Sequence, residues 1–137
     1  MPLPSLAVLR QRFIASRQLL PGDWANAITD ALSSTQTATA STTQTQAGGT
    51  KITNAAVAVT TANANDAVTL PKGGPGLEIF ISNLSANALG VFPAPGDTIF
   101  PSAADAVLAQ AASKSAIYKV ISVTAAGAAT WYKLVSA

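Results

Sequence analysis

The chain has 137 residues, no cysteine, no histidine and a single methionine at position 1, and 29 alanines, 15 threonines and 12 serines set its character. Only 10% of it is charged, against about 25% in an ordinary soluble protein. That alphabet excludes disulfides, thiolate metal sites, zinc hydrolases and serine–histidine triads, and a net charge of +2 from eight cations and six anions is too thin for a nucleic-acid footprint.

The length fits one domain with an additional arm. The longest uncharged run, Ala31 to Thr50, is rich in Ser, Thr and Gln rather than apolar, so it is not expected to span a bilayer. At the start, MPLPSLAVLRQRF places its positive charges after the apolar patch, the reverse of a signal peptide. An intracellular, soluble product is the expectation.

Composition divides the chain in three. Residues 1 to about 32 hold all three arginines, Arg10, Arg12 and Arg17. Ser5 is placed to cap a short helix in which Leu6, Leu9 and Phe13 share a face, before Pro21-Gly22 interrupts. Asp23 then caps a second, better patterned helix, with Trp24, Ala27, Ile28, Ala31 and Leu32 at i, i+3, i+4, i+7 and i+8. Helices this short are marginal alone, so their apolar stripe needs a surface to rest on.

Residues 33–50, SSTQTATASTTQTQAGGT, are polar, uncharged and low in complexity. Such composition reads as a solvated linker. Its alternating threonines also suit an extended strand that pairs when a partner offers an edge.

From Lys51 onward, short apolar runs alternate with turn signals. KITNAAVAVTT puts Val57, Val59 and Thr61 on one face, and AVTLP follows a turn at Asn63-Ala64-Asn65-Asp66. KGGPG breaks the chain. In LEIFISNL, Leu77, Ile79 and Ile81 share one face and Glu78, Phe80 and Ser82 the other. ALGVFPAPGDTIF ends a strand at Val91-Phe92 before a Pro-Ala-Pro-Gly-Asp turn. SAADAVLAQAASK has helical propensity, but a loop with a short strand fits its neighbours better. SAIYKVISVT alternates Ile117, Ile121 and Val123 against Tyr118 and Val120, and TWYKLV closes the chain. Strands at this spacing predict an all-β sandwich or barrel over residues 51–137, behind an arm of residues 1–50. Phe80, Phe92, Phe100, Tyr118, Trp131 and Tyr132 are its aromatic stock. A domain so small buries only about 60–65% of its unfolded surface, and so uncharged a chain is expected to have much of its surface covered by a partner.

Chemistry-bearing residues are few. Asp66, Glu78, Asp97 and Asp105 are the only carboxylates after residue 30, too few and too scattered to argue for a paired-carboxylate enzyme or a cation site. Asp66 and Asp97 sit in turns, where Asp ordinarily bonds nearby backbone. Gly73-Gly74-Pro75-Gly76 lacks the Lys-Ser/Thr of a phosphate loop. No catalytic residue, cofactor or metal is expected. Arg10, Arg12, Arg17, Trp24 and Ile28 read either as an ordinary solvated helix with its core stripe or as contacts to another protein, where Arg and Trp are favoured. Trp131 reads as core.

One run carries a resemblance. NANDAVTLPKGGPGLEIFISNLSANALGVFPAPGDTIF is similar to a pattern in small structural proteins of tailed bacteriophages: Asp66, Val68, Leu70 and Pro71, then Asn83, then Val91, Phe92, Pro93, Gly96, Asp97 and Ile99. The match covers residues 63–101 well and 115–135 loosely, with Trp131 in the closing strand. Within that group the chain looks most like a capsid decoration (cement) protein, having no heptads or repeats of a fibre. The resemblance implies a jelly-roll-like β-sandwich, a homodimer or homotrimer, standing on the outer surface of the capsid after synthesis in the bacterial cytoplasm. Its partner would be the major capsid protein, with no direct nucleic-acid or membrane contact. The alternative is a receptor- or carbohydrate-binding module of a fibre or baseplate, using Asn63, Asn65, Asn83 and Asn87. A cell-envelope lyase or hydrolase is the third and weakest reading.

Overall fold

Ten strands and no helix make up the part of the chain, residues 35–61 and 63–136, that the computed structural model describes. They are β1 (Thr35–Thr39), β2 (Thr50–Lys51), β3 (Ala56–Thr60), β4 (Asp66–Thr69), β5 (Glu78–Asn83), β6 (Leu89–Phe92), β7 (Thr98–Phe100), β8 (Leu108–Gln110), β9 (Ser115–Val123) and β10 (Ala129–Val135). This described part is all-β, as its strand spacing implies. The helices expected in residues 1–32 lie outside the described residues.

Two sheets result, one of six strands in the order β1-β3-β5-β9-β10-β7 and one of four in the order β2-β4-β6-β8. From β1 to β6 the chain alternates between them, so it winds as a flattened coil. Residues paired in successive windings stand 18 to 24 positions apart: Thr35 beside Ala56 and Ala56 beside Phe80 in one sheet, Thr50 beside Val68 and Asp66 beside Leu89 in the other. These ladders are parallel. After β6 the chain turns back, with β8 antiparallel to β6, β9 antiparallel to β5 and β10 antiparallel to β9, while β7 lies parallel to β10 at the far edge. A jelly roll is built from antiparallel Greek keys, whereas five of the eight ladders here are parallel. Coiling between sheets forces four of these, because each winding re-enters its sheet in the same direction.

The compact β-unit begins at Thr35, so residues 35–50, expected as the end of the arm, belong to it. β1 pairs along its whole length with β3, and Ala38 turns inward. The glutamines that suggest a solvated linker work as internal ties. The Gln36 amide donates to the Lys51 carbonyl and accepts from the Thr53 N–H. The Gln46 side-chain amide donates to the Pro93 carbonyl, and the Gln46 backbone carbonyl accepts from the Thr69 hydroxyl. A Gln side chain carries both a donor and an acceptor, so it satisfies backbone groups where the coil leaves them unpaired.

Period-2 alternation sorts the strands into faces. Val57, Val59, Ile79, Ile81, Ile99, Tyr118, Val120 and Trp131 from the larger sheet meet Val68, Leu70, Leu89 and Val91 from the smaller in one buried cluster. Of the six aromatics, only Tyr118 and Trp131 are fully buried; Phe92 and Tyr132 are half-buried, and Phe80 and Phe100 are exposed. The Tyr118 hydroxyl donates to Gln110 Oε1 at 3.0 Å, and Gln110 Nε2 reaches the Ile81 and Lys114 carbonyls. This polar chain ties β8 to β5 and β9 inside the core. Burial pushes the Tyr118 phenol far above its usual range, so it stays a donor.

Candidate interaction surface

The residues that carry the phage resemblance are framework. Asp66 and Leu70 are buried, Pro93 is buried and Pro71 half-buried. Asp66 accepts from the Asn63 N–H three residues back, a turn of the kind expected. Asn83, 1% exposed, donates to the Asn87 and Ala111 carbonyls and accepts from the Ser85 N–H and hydroxyl. Asn65 occupies a left-handed turn position, with φ of 67°. Asn63, Asn65 and Asn83 thus serve turns and core.

Asp97 does more than hold its own turn. Gly96, at φ of 82°, bends the chain so that the Asp97 N–H reaches the Ala94 carbonyl. Its fully buried carboxylate then accepts from the Gly73 N–H and the Ala129 N–H, both at 2.9 Å, and from the Lys72 ammonium. Burial alone would raise its pKa; the Lys72 hydrogen bond and the two backbone donors outweigh burial and hold it below its usual range. Gly73 is required at this junction, since a Cβ there would lie 2.3 Å from Ala129 Cβ. Asp105 adds a second tie, accepting from the Gly96 N–H and Gln46 Nε2; those donors lower its pKa as well. Both carboxylates are spent on structure. Among the described residues no group of three or more His, Cys, Asp or Glu stands close enough to hold a metal, and no helix is long and apolar enough to cross a membrane.

The two sheets differ on their outer faces. In the smaller sheet the central outward positions Ala67, Thr69 and Gly90 are small and buried, with Gly49 and Gln46 against Thr69 and Val107 over Gly90, while Phe92 is half-buried and Lys51 and Ala109 are exposed. Among the described residues the larger sheet has no such cover. Register places its outward side chains in rows. One row runs Ala56, Phe80, Ile117, Leu134 across β3, β5, β9 and β10. A second runs Glu78, Lys119, Tyr132, Phe100 across β5, β9, β10 and β7. A third runs Thr37, Ala58, Ser82, Ser115. Between Ser122 and Val120 the register slips, so Ile121 bulges outward opposite the Thr130/Trp131 step. Of the eight exposed large apolar side chains among the described residues, Phe80, Phe100, Ile117, Ile121 and Leu134 stand on this face, each 36–63% exposed.

Polar character on the face is slight. Glu78 and Lys119 pair at 3.4 Å with both side chains about half exposed, a contact worth roughly 0–1 kcal/mol. No other charged residue stands in these rows. Lys133 bends away to the Ala109 carbonyl of the other sheet, and its burial lowers its pKa. Phe100 and Tyr132 stack with centroids 4.9 Å apart and planes 11° from parallel. A groove of about 270 Å³ opens over β1 and β3, floored by Ala56 and Ala58 and walled by Thr35, Thr37, Phe80 and Ser82. Exposed apolar patches are the surfaces on which proteins commonly contact other macromolecules.

The sequence pointed elsewhere for contacts. Arg10, Arg12, Arg17, Trp24 and Ile28 lie outside the described residues. The surface that the structure brings together, Phe80, Ile117, Leu134 and the Phe100–Tyr132 pair, was not singled out, although its signal was present. β5 and β9 carry large apolar residues on both faces, the pattern of strands covered on both sides. No known protein family matches the chain, and no curated protein matches it either.

Proposed function

We propose that the protein is a non-enzymatic structural component of a phage virion, binding the outside of the capsid, bridging neighbouring shell subunits and stabilising the head. The observation that carries this reading is the apolar outer face of the six-stranded sheet, which no other described residue covers, on a unit whose buried carboxylate Asp97 and exposed Asp105 are committed to structural hydrogen bonds. Such a surface suits an assembly component. The β-unit associates with copies of itself, and residues 1–32 supply contacts to the major capsid protein through Arg10, Arg12, Arg17, Trp24 and Ile28. Many copies bound at once give avidity without a tight single site.

The test is co-sedimentation of the purified protein with emptied, undecorated heads, scored by stoichiometry. Saturable binding at a copy number comparable to the shell protein is expected, and deleting residues 1–32 should abolish it while the β-unit stays folded. Binding at a handful of copies, or none, overturns the shell reading.

A second reading, a receptor- or carbohydrate-binding module of a fibre or baseplate, draws on one observation: the Phe100–Tyr132 stack is an exposed aromatic platform. Sugar rings stack on such platforms, and a glycan array with hits lost in Tyr132→Ala would favour it.

A further inference from the structure

We infer that the outer face of the six-stranded sheet is the contact between two copies of this chain related by a two-fold axis running along the strands between β5 and β9. The inference deepens the self-association in the proposed function by naming its surface and symmetry, and it stands without the capsid contact.

Three features of the face select a second copy. First, its two halves differ in height. β1 and β3 present only Thr35, Thr37, Thr39, Ala56, Ala58 and Thr60, which form the low, grooved half. β5, β9, β10 and β7 present Phe80, Ile117, Leu134, Tyr132 and Phe100, the high half. A two-fold along the strands at the centre of the sheet, between β5 and β9, sets β10 and β7 of each copy over the β3 and β1 trough of the other and β5 against β9, the self-complementarity that an isologous contact requires. The groove, at about 270 Å³, is larger than the roughly 150 Å³ that receives a benzene ring, so it has room for an aromatic side chain.

Second, the face is neutral, its one cation and one anion being paired with each other. A copy therefore approaches without repulsion, whereas a strongly charged partner would find nothing to recognise. Third, the area suffices. Six strands at about 4.8 Å spacing, of three to nine residues at about 3.3 Å per residue, give about 500–600 Å² per copy. That is about 1,000–1,200 Å² in total, which reaches the roughly 1,000 Å² expected of a specific contact. Parallel strands such as β1, β3 and β5 are also ordinarily covered on both faces, and the second copy provides the missing cover.

Sedimentation equilibrium of the full chain, alone and without heads, tests the inference. The wild type should be dimeric. Phe80→Lys and Leu134→Lys should each weaken association about 30-fold or more, as loss of a central anchor does; Leu134, 63% exposed near the end of β10, can take the change without loss of fold, checked by thermal melting. The chain has no cysteine, so Ser82→Cys beside the axis gives a single handle. A bis-maleimide matching the roughly 10 Å between packed sheets should cross-link it to dimers, and Ala109→Cys on the other sheet should not cross-link. A monomer, a trimer, or a dimer indifferent to Phe80→Lys and Leu134→Lys overturns the inference. Dimerisation without binding to heads would remove the shell reading and leave this one standing; binding of a monomer to heads would do the reverse.

Discussion

Replacing Asp97 by alanine should unfasten three parts of the β-unit at once. Its carboxylate holds the Gly73 and Ala129 amides and the Lys72 ammonium, joining the loop after β4 and the start of β10 to the turn before β7. Removing it leaves two backbone N–H groups without their acceptor, at about 1–3 kcal/mol each. Lys72 is half exposed, so its share is under about 1 kcal/mol. Together the loss comes to about 3–5 kcal/mol of a total near 5–15 kcal/mol, a fall in Tm of about 15–30 °C. Asp97→Asn keeps one acceptor oxygen and should lose about half as much; Lys72→Ala should lose under about 1 kcal/mol. Urea titrations followed by Trp131 fluorescence, in a Trp24→Phe background, give these values. The sign with pH follows from the lowered pKa. The ionised carboxylate's contribution is complete above the unfolded value near 3.8 and is lost as pH falls through the lower folded value. The gap between wild type and Asp97→Asn should therefore be constant from about pH 7 to pH 5 and narrow below about pH 4. If Asp97→Ala costs under about 1 kcal/mol, or Lys72→Ala costs as much as it does, the carboxylate is not the anchor of those amides.

Other outcomes follow from the same structure. Tyr118→Phe strands Gln110 Oε1 in the core and should cost about 1–2 kcal/mol with the fold retained, measured by urea unfolding. Gly73→Ala drives a methyl into Ala129 and should cost about 1–3 kcal/mol; a neutral result would mean that the junction is looser than its contacts. A chain beginning at Thr35 should keep the thermal transition of the β-unit, whereas one beginning at Lys51 loses β1 and the Gln36 and Gln46 ties and should show no cooperative melt. Equal melts for the two would place residues 35–50 outside the folded unit.

The candidate surface was half legible. Alternation in LEIFISNL and SAIYKVISVT separates Ile79, Ile81, Tyr118 and Val120 from Phe80, Ile117 and Ile121, and those sets do occupy opposite faces. Alternation cannot say which face meets the other sheet when both are apolar, and Phe80 and Phe100, a third of the aromatic stock after Lys51, lie outside. The windings were hidden for a related reason. Paired residues 18–24 apart leave a repeat only if the same side chains recur, and here Thr35, Ala56 and Phe80 occupy one equivalent row.

By itself the sequence determined the all-β class, the positions of the turns and the want of histidine and cysteine chemistry, because alternation, Gly-Pro punctuation and composition are local properties. Tertiary structure decided the rest. Parallel coiling, the reach of Asp97 to Gly73 and Ala129, the recruitment of residues 35–50 and the exposure of Phe80, Ile117 and Leu134 all depend on which strand lies beside which. Strand order is a property of the whole chain's packing, since each ladder joins residues that no local pattern connects.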